Sequence, residues 1–207
     1  MANIDAPFGL RPIAKLGSAP GGTTGTTKYK ISSGASALFT GDPVKLKADG
    51  SIEVKGGAGA ITGAISGVFM GCFYTDPTTS KPTFRNNYPD GLAASDAIAF
   101  ISDDPDQLYI AQQDSVGSNI VAADLHTNAN MVMAAGSTTT GMSKAEIDSS
   151  TAATGNATHM LKLMDFYDTP SNDATANNSV LVVKINNHEL GAHTGTAGVY
   201  GGLDYGY

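Results

Sequence analysis

The sequence contains little charge, few aromatic side chains and almost no cysteine. Charged residues are 15% of the 207 residues, against roughly 25% in an average globular protein. Tryptophan is absent, and Cys72 is the only cysteine. A single cysteine excludes an internal disulfide and a zinc site built on cysteines. Because Cys72 lies within an apolar run, we interpret it as a small buried side chain.

Basic side chains and long apolar runs are also scarce. The 12 lysines and arginines are outnumbered by 19 aspartates and glutamates, which gives a net charge of −7. No cluster of basic residues could follow a nucleic-acid backbone or an anionic membrane surface, so the sequence predicts neither as a partner. No apolar segment approaches the roughly 18 residues that span a bilayer.

Glycine, serine, threonine and asparagine supply the polarity instead, a composition typical of short strands and turns. The clearest pattern is a β-hairpin, in which alternating segments at 44–47 and 52–55 flank an Asp-Gly turn. Further strands are predicted at 28–31, 61–74, 97–101, 108–113, 159–167 and 179–186. Residues 75–95, with three prolines, are predicted to form a long surface loop, whereas 119–135 fit either a short helix or irregular structure.

These strands predict an all-β fold, either a single β-barrel or a jelly-roll-like sandwich, because no amphipathic helices separate them. Three parts follow from the composition. Residues 1–13 are interpreted as an extended N-terminal arm, 14–194 as a β-rich core domain with long loops, and 195–207 as a flexible Gly/Tyr-rich tail.

The arm carries apolar side chains on a chain kept extended by two prolines. Such an arm either packs on its own domain as an N-terminal strand or reaches a neighbouring subunit, as strands added to exposed sheet edges do. We expect the second arrangement. The candidate residues for contact with a partner or a neighbouring subunit are Ile4, Pro7, Phe8, Leu10, Arg11 and Ile13.

The sequence contains partial matches to three catalytic or binding motifs, and none of the three is complete. The segment 188–193 places two histidines five residues apart, whereas the zinc-protease motif needs four. The glycines of 57–63 are one residue off the dinucleotide fingerprint and lie among predicted strands. Asp103, Asp104 and Asp106 lack the spaced ligands of a calcium loop, so an exposed acidic turn is expected. The sequence therefore predicts no catalytic, cofactor-binding or metal-binding residues, and no enzyme.

The segment 6–13, Ala-Pro-Phe-Gly-Leu-Arg-Pro-Ile, resembles the N-terminus of small virion structural proteins of tailed bacteriophages, the head decoration or capsid cement proteins. Similar segments follow in the same order at 38–46, 67–71, 103–105 and 183–190. The resemblance implies a non-enzymatic protein on the outer surface of the virion that stabilises the capsid. Its implied partners are the major capsid protein and further copies of itself, as a homotrimer.

Two other functions stay open from the residues. Within the virion the chain could instead be a major capsid or tail component. In a different class, a carbohydrate-binding β-sandwich adhesin would need exposed aromatic platforms. The only aromatic cluster visible in the sequence is formed by Tyr200, Tyr205 and Tyr207 in the tail.

Overall fold

The chain folds into an almost entirely β structure with two adjoining hydrophobic cores. The structure, a computed structural model, describes residues 3–17, 25–152 and 156–191. The predicted tail at 195–207, its three tyrosines and His193 lie outside the described residues. The all-β prediction is confirmed.

The described strands are short and irregularly spaced along the chain. In order they are β1 (Arg11–Lys15), β2 (Thr27–Ile31), β3 (Leu38–Phe39), β4 (Pro43–Leu46), β5 (Ser51–Val54), β6 (Gly59–Ile61), β7 (Gly67–Thr75), β8 (Pro82–Arg85), β9 (Asn87–Tyr88), β10 (Ile98–Ser102), β11 (Gln107–Gln112), β12 (Asn128–Ala129), β13 (Met131–Met133), β14 (Glu146–Ile147), β15 (Leu161–Phe166) and β16 (Val180–Ile185). A 3₁₀ turn (Ala122–Asp124) and one short helix, α1 (Ser149–Ala152), complete the described secondary structure.

Five strands close into a small barrel in the order β10-β2-β5-β4-β7, and β7 pairs with β10 to complete the ring. The β2–β5 pair is parallel and the other pairs are antiparallel. Closure removes the free edges of these five strands, and β8 adds to β7 outside the ring. The barrel core consists mainly of alternate inward-facing residues, among them Ile52, Phe69, Cys72, Tyr74 and Ile101.

The second core is a sandwich. A five-stranded antiparallel sheet, in the order β1-β11-β16-β15-β12, and a three-stranded sheet, β14-β13-β6, both contribute side chains to it. In β16 the alternation is strict, because Leu181, Val183 and Ile185 are buried while the residues between them are partly exposed. Val54 packs against both cores and so joins the barrel to the sandwich.

The structure confirms the strands that local sequence pattern predicts. The hairpin forms from β4 and β5, with Val44 opposite Val54 and Leu46 opposite Ile52. Gly50 takes a φ of +76° in the turn, as the Asp-Gly signal requires. The run at 61–74 divides into β6 and β7, which belong to different sheets.

The structure differs from the sequence-based interpretation of the irregular segments and of the arm. The segment 75–95 is not a single loop, because β8 and β9 lie within it. Its prolines caused the error, since Pro82 occupies the first position of β8, where a strand tolerates proline. Residues 119–135 form the 3₁₀ turn followed by β12 and β13. The arm boundary predicted at residue 13 falls inside β1, which pairs with β11.

Candidate interaction surfaces

Leu10 anchors the N-terminal segment, and it does so within the chain's own core. Its side chain is only 1% exposed and packs in the sandwich core. Its backbone N–H donates a hydrogen bond of 2.9 Å to the carbonyl of Gly41. Of the six residues singled out from the sequence, Leu10 therefore stabilises its own domain and offers no surface to a partner.

The chain reaches this anchor through a tight backbone crossing. Gly9 has a φ of +73°, and a Cβ built on it would lie 2.6 Å from the Cβ of Ser143. Gly41 has a φ of +97°, and a Cβ there would lie 2.5 Å from the carbonyl oxygen of Phe8. Both positions need glycine for the backbone conformation and for the close approach.

The other candidate residues surround this anchor. Arg11 and Ile13 belong to β1, an edge strand of the five-stranded sheet. The guanidinium carbon of Arg11 lies 4.7 Å from the centre of the Phe8 ring, a cation–π contact. Pro7, Phe8 and Ile13 are partly buried in the folded chain. These residues hold the segment on its own sheet from Pro7 onward.

Ile4 differs from the others because its backbone is held while its side chain is left in solvent. The Gln112 side chain donates to the carbonyl of Ile4 at 2.8 Å and accepts from the N–H of Ala6 at 3.0 Å. The amide of Asn3 donates to the carbonyl of Asp173 at 2.9 Å. The Ile4 side chain is 79% exposed, beside a shallow cleft of about 360 Å³.

Charged side chains of both signs lie near this exposed residue, since Arg11 lines the same cleft and Asp5 follows Ile4 in the chain. Asp5 is exposed, and Glu146 is partly buried. The pKa of Glu146 is raised to about 7. Burial is the main cause, and the nearby carboxylates of Asp5 and Asp114 add to it. We call Ile4, Asp5 and Glu146 the N-terminal tip: an apolar side chain with carboxylates near it.

A second apolar surface lies on the outer face of the barrel. Phe73 is directly opposite Phe84 in the β7–β8 pair and directly opposite Ile98 in the β7–β10 pair. Phe100 is opposite Gly71, and its ring centre lies 5.8 Å from that of Phe84. A Cβ on Gly71 would lie 3.4 Å from the Phe84 ring, so the ring extends over this glycine.

We call Phe73, Phe84, Ile98 and Phe100 the aromatic patch. The Phe84 side chain is 66% exposed and that of Phe73 is 39% exposed. Large apolar side chains grouped in this way are typical of binding surfaces. The sequence pattern does not reveal the patch, because the prolines of 75–95 predict a loop at Phe84. The alternation of Thr83, Phe84 and Arg85 after a proline is the signal that could have found it.

Two lysines border the aromatic patch. Lys28 lies opposite Phe100 and Lys30 lies opposite Ile98 in the β2–β10 pair, so all four side chains share one face of the sheet. Within the part of the chain that the structure describes, neither ammonium group has an ion pair or a hydrogen bond. The patch therefore carries uncompensated positive charge in a chain whose net charge is −7.

Three segments that are distant along the chain, 38–46, 67–71 and 183–190, are bonded to one another. Backbone hydrogen bonds link Gly41 to Phe69 at 2.8 Å and Phe69 to Asp42 at 2.9 Å, which joins segment 38–46 to segment 67–71. Glu189 accepts a hydrogen bond of 2.9 Å from the N–H of Leu46, which joins 183–190 to 38–46. These hydrogen bonds, with the one from Leu10 to Gly41, connect the N-terminal segment, the barrel and the sandwich.

Asp42 is the buried carboxylate of this junction. One of its oxygens accepts a hydrogen bond of 2.8 Å from the N–H of Phe39. Its other oxygen is buried without a hydrogen-bond partner among the described residues. Burial raises the pKa of Asp42 to about 6, although the hydroxyl of Ser143 and the N–H of Phe39 both favour the ionised form.

The acidic turn is engaged in structural contacts. Asp104 forms an ion pair of 2.7 Å with Lys15, and Asp106 forms one of 2.7 Å with Lys184. The hydrogen bond from Lys15 holds the pKa of Asp104 below its usual value. Asp103 accepts hydrogen bonds from Thr27 and Tyr29. These contacts tie β1 and β2 to the turn between β10 and β11.

The remaining candidates for chemistry are buried. Cys72 is fully buried in the barrel, as the sequence predicts, and burial raises the pKa of its thiol to about 12. His188 is buried, and its Nδ1 accepts a hydrogen bond of 3.0 Å from the N–H of Leu190. Among the described residues, no three His, Cys, Asp or Glu side chains come together so that they could hold a metal ion.

In the described ranges, none of the helical segments has the length and apolar character needed to span a bilayer. Comparisons with protein-family models, with curated proteins and with solved structures found no match for this chain.

Proposed function

We propose that this chain is a non-enzymatic structural protein of a tailed-phage virion, which binds the outside of the capsid and stabilises it as a cement or decoration protein. The observation that carries the proposal is the junction around Gly41. Sequence segments that resemble the family in order are bonded to one another there, although they are far apart along the chain. A likeness in the residues that determine a fold is a stronger indication than a likeness in composition.

The physical demands of this role fit the chain. A cement protein adds buried area across seams between capsid subunits, and several modest contacts on one particle add up to tight binding. The N-terminal segment supplies one such contact, since Gln112 fixes its backbone and leaves Ile4 exposed. The acidic surface suits a position outside the capsid, away from the packaged nucleic acid.

The proposal is tested with empty capsids from the phage whose genome encodes the chain. The purified chain should co-sediment with these capsids in many copies and raise the temperature at which they break open. A chain lacking residues 2–7 keeps Leu10 in the core and should bind more weakly. Absence of co-sedimentation, or a chain found only inside the particle, would contradict the proposal.

A carbohydrate-binding adhesin is the second candidate, and the exposed rings of the aromatic patch are the observation that favours it. Sugar sites combine such rings with several polar side chains that fix the hydroxyl groups. The residues opposite Ile98 and Phe100 in β2 are Lys30 and Lys28, whose ammonium groups donate hydrogen bonds but accept none. Binding of the capsid-free chain to a glycan array, lost in Phe84→Ser, would favour the adhesin over the cement protein.

A further inference from the structure

The two exposed apolar surfaces of the chain are complementary to each other. The N-terminal tip presents Ile4 near the carboxylates of Asp5 and Glu146. The aromatic patch presents phenylalanine rings beside Lys28 and Lys30. An apolar side chain with negative neighbours thus has its counterpart in an apolar surface with positive neighbours, on the same chain.

We infer that the N-terminal tip of one copy docks on the aromatic patch of a second copy. In this contact Ile4 packs against the rings of Phe84 and Phe100, and Asp5 faces the two lysines. In the described conformation the tip is held away from the patch of its own chain, because Gln112 of the sandwich sheet bonds the backbone of Ile4 and the Asn3 side chain donates to the carbonyl of Asp173.

The charges favour this occupant. Lys28 and Lys30 have no ion pair within the described residues, whereas Lys15, Lys45 and Lys184 are each paired with a carboxylate. At the tip, Asp5 is exposed and lies close enough to Glu146 for its negative charge to help raise the pKa of Glu146. Bringing the lysines of a second copy to these carboxylates compensates both surfaces, and such complementarity fixes the orientation of a contact.

The geometry makes the contact head-to-tail. The tip lies beside β11 of the sandwich, and the patch lies on β7, β8 and β10 of the barrel. Different surfaces are used on the two partners, so every copy retains a free tip or a free patch for another copy. Such an interface closes into a ring where the rotation between copies permits it and otherwise continues as a chain. The contact needs no capsid, so its test is independent of the proposed function.

The test measures self-association of the full chain by sedimentation velocity over a dilution series. Wild-type protein should exceed the mass of one 21.1 kDa chain as its concentration rises. Ile4→Ser removes the apolar tip and Phe84→Ser removes the most exposed ring. Each substitution should weaken association by at least about tenfold. Leu190→Ser, at a side chain 50% exposed beyond the end of β16 that lies opposite the tip, is the matched control and should associate like the wild type.

Mixing the two variants tests the head-to-tail geometry directly. The Ile4→Ser protein keeps an intact patch and the Phe84→Ser protein keeps an intact tip. An equimolar mixture should therefore form a complex of two chains, although each variant alone stays monomeric. A separate exchange of charges, Asp5→Lys combined with Lys28→Asp and Lys30→Asp, should restore association that either half of the exchange weakens.

Both variants should fold, because Ile4 and Phe84 are exposed and their substitution leaves both cores intact. Circular dichroism of each variant checks this. A wild-type chain that stays monomeric at every concentration would overturn the inference. Variants that associate like the wild type would overturn it as well, and so would a mixture that stays monomeric.

Discussion

The backbone of Gly9 lies against the backbone of Gly41 so closely that neither residue can carry a side chain. The next residue, Leu10, donates its N–H to the carbonyl of Gly41 and inserts its side chain into the sandwich core. At this crossing the N-terminal segment joins the core, and β1 begins at the residue that follows Leu10.

Gly9→Ala should be much more destabilising than a glycine substitution at an open position. Gly34 has a φ of +74° with no atom near a built Cβ, so Gly34→Ala measures the backbone conformation alone, at about 1–2 kcal/mol. Gly9→Ala adds a clash with the backbone of Gly41, and the total loss should be roughly 3 kcal/mol or more. Urea unfolding measures both. Equal losses for the two variants would show that the close approach is unimportant.

Truncation of Leu10 should lower the free energy of unfolding far more than truncation of Ile4. Leu10→Ala leaves a cavity in the core and should lower the free energy of unfolding by about 2–5 kcal/mol. Ile4→Ala should change it by less than about 0.5 kcal/mol, because the side chain is in solvent. Thermal and urea unfolding test this pair. Similar effects of the two substitutions would mean that the segment is not anchored at Leu10.

Asp42 should make the fold more stable in mild acid than at neutral pH. The native carboxyl has a pKa of about 6, above that of an unfolded aspartate, so the native state binds the extra proton between these values. Stability should therefore fall as pH rises from about 4 to about 6, by about 3 kcal/mol for this group, and then level off. Glu146, with its pKa raised to about 7, extends the fall toward neutral pH.

The measurement is the free energy of unfolding in urea at several pH values above 4.5. Asp42→Asn should remove the lower part of the slope, because its amide mimics the protonated carboxyl beside the N–H of Phe39. Glu146→Gln should remove the upper part. A wild-type chain whose stability rises with pH across this range would contradict the assignment of both carboxyls.

Cys72 should be chemically inert in the native protein. Its thiol is buried in the barrel, and its raised pKa leaves almost no thiolate to react at pH 8. Iodoacetamide should label it slowly in buffer and rapidly in urea, with mass spectrometry as the readout. Native labelling as fast as that of the unfolded chain would place the residue outside the core.

The pattern of apolar and polar residues predicted those strands and turns that depend only on residues close together in the sequence. The hairpin of β4 and β5 follows from two alternating segments and an Asp-Gly turn, and β16 follows from its apolar alternation. Closure of the barrel could not be predicted in this way. It depends on the parallel β2–β5 pair and on the β7–β10 pair, which join residues distant along the chain.

The candidate surfaces show the same limit. The apolar residues of the N-terminal segment are visible in the sequence, yet only burial separates Leu10, which fills the core, from Ile4, which faces solvent. The aromatic patch depends on register, since Phe73, Phe84 and Ile98 come from three strands that the sequence does not align. Side-chain type alone could not bring them together.

The proposed role as a capsid cement protein can be checked with an electron-microscopy map of the particles used in the co-sedimentation experiment. We expect repeated density on the outer surface of the capsid that fits a closed five-stranded barrel joined to a sandwich, with subunit contacts at the N-terminal tip. A capsid whose outer surface is fully explained by other proteins, with this chain absent from the purified particle, would contradict it.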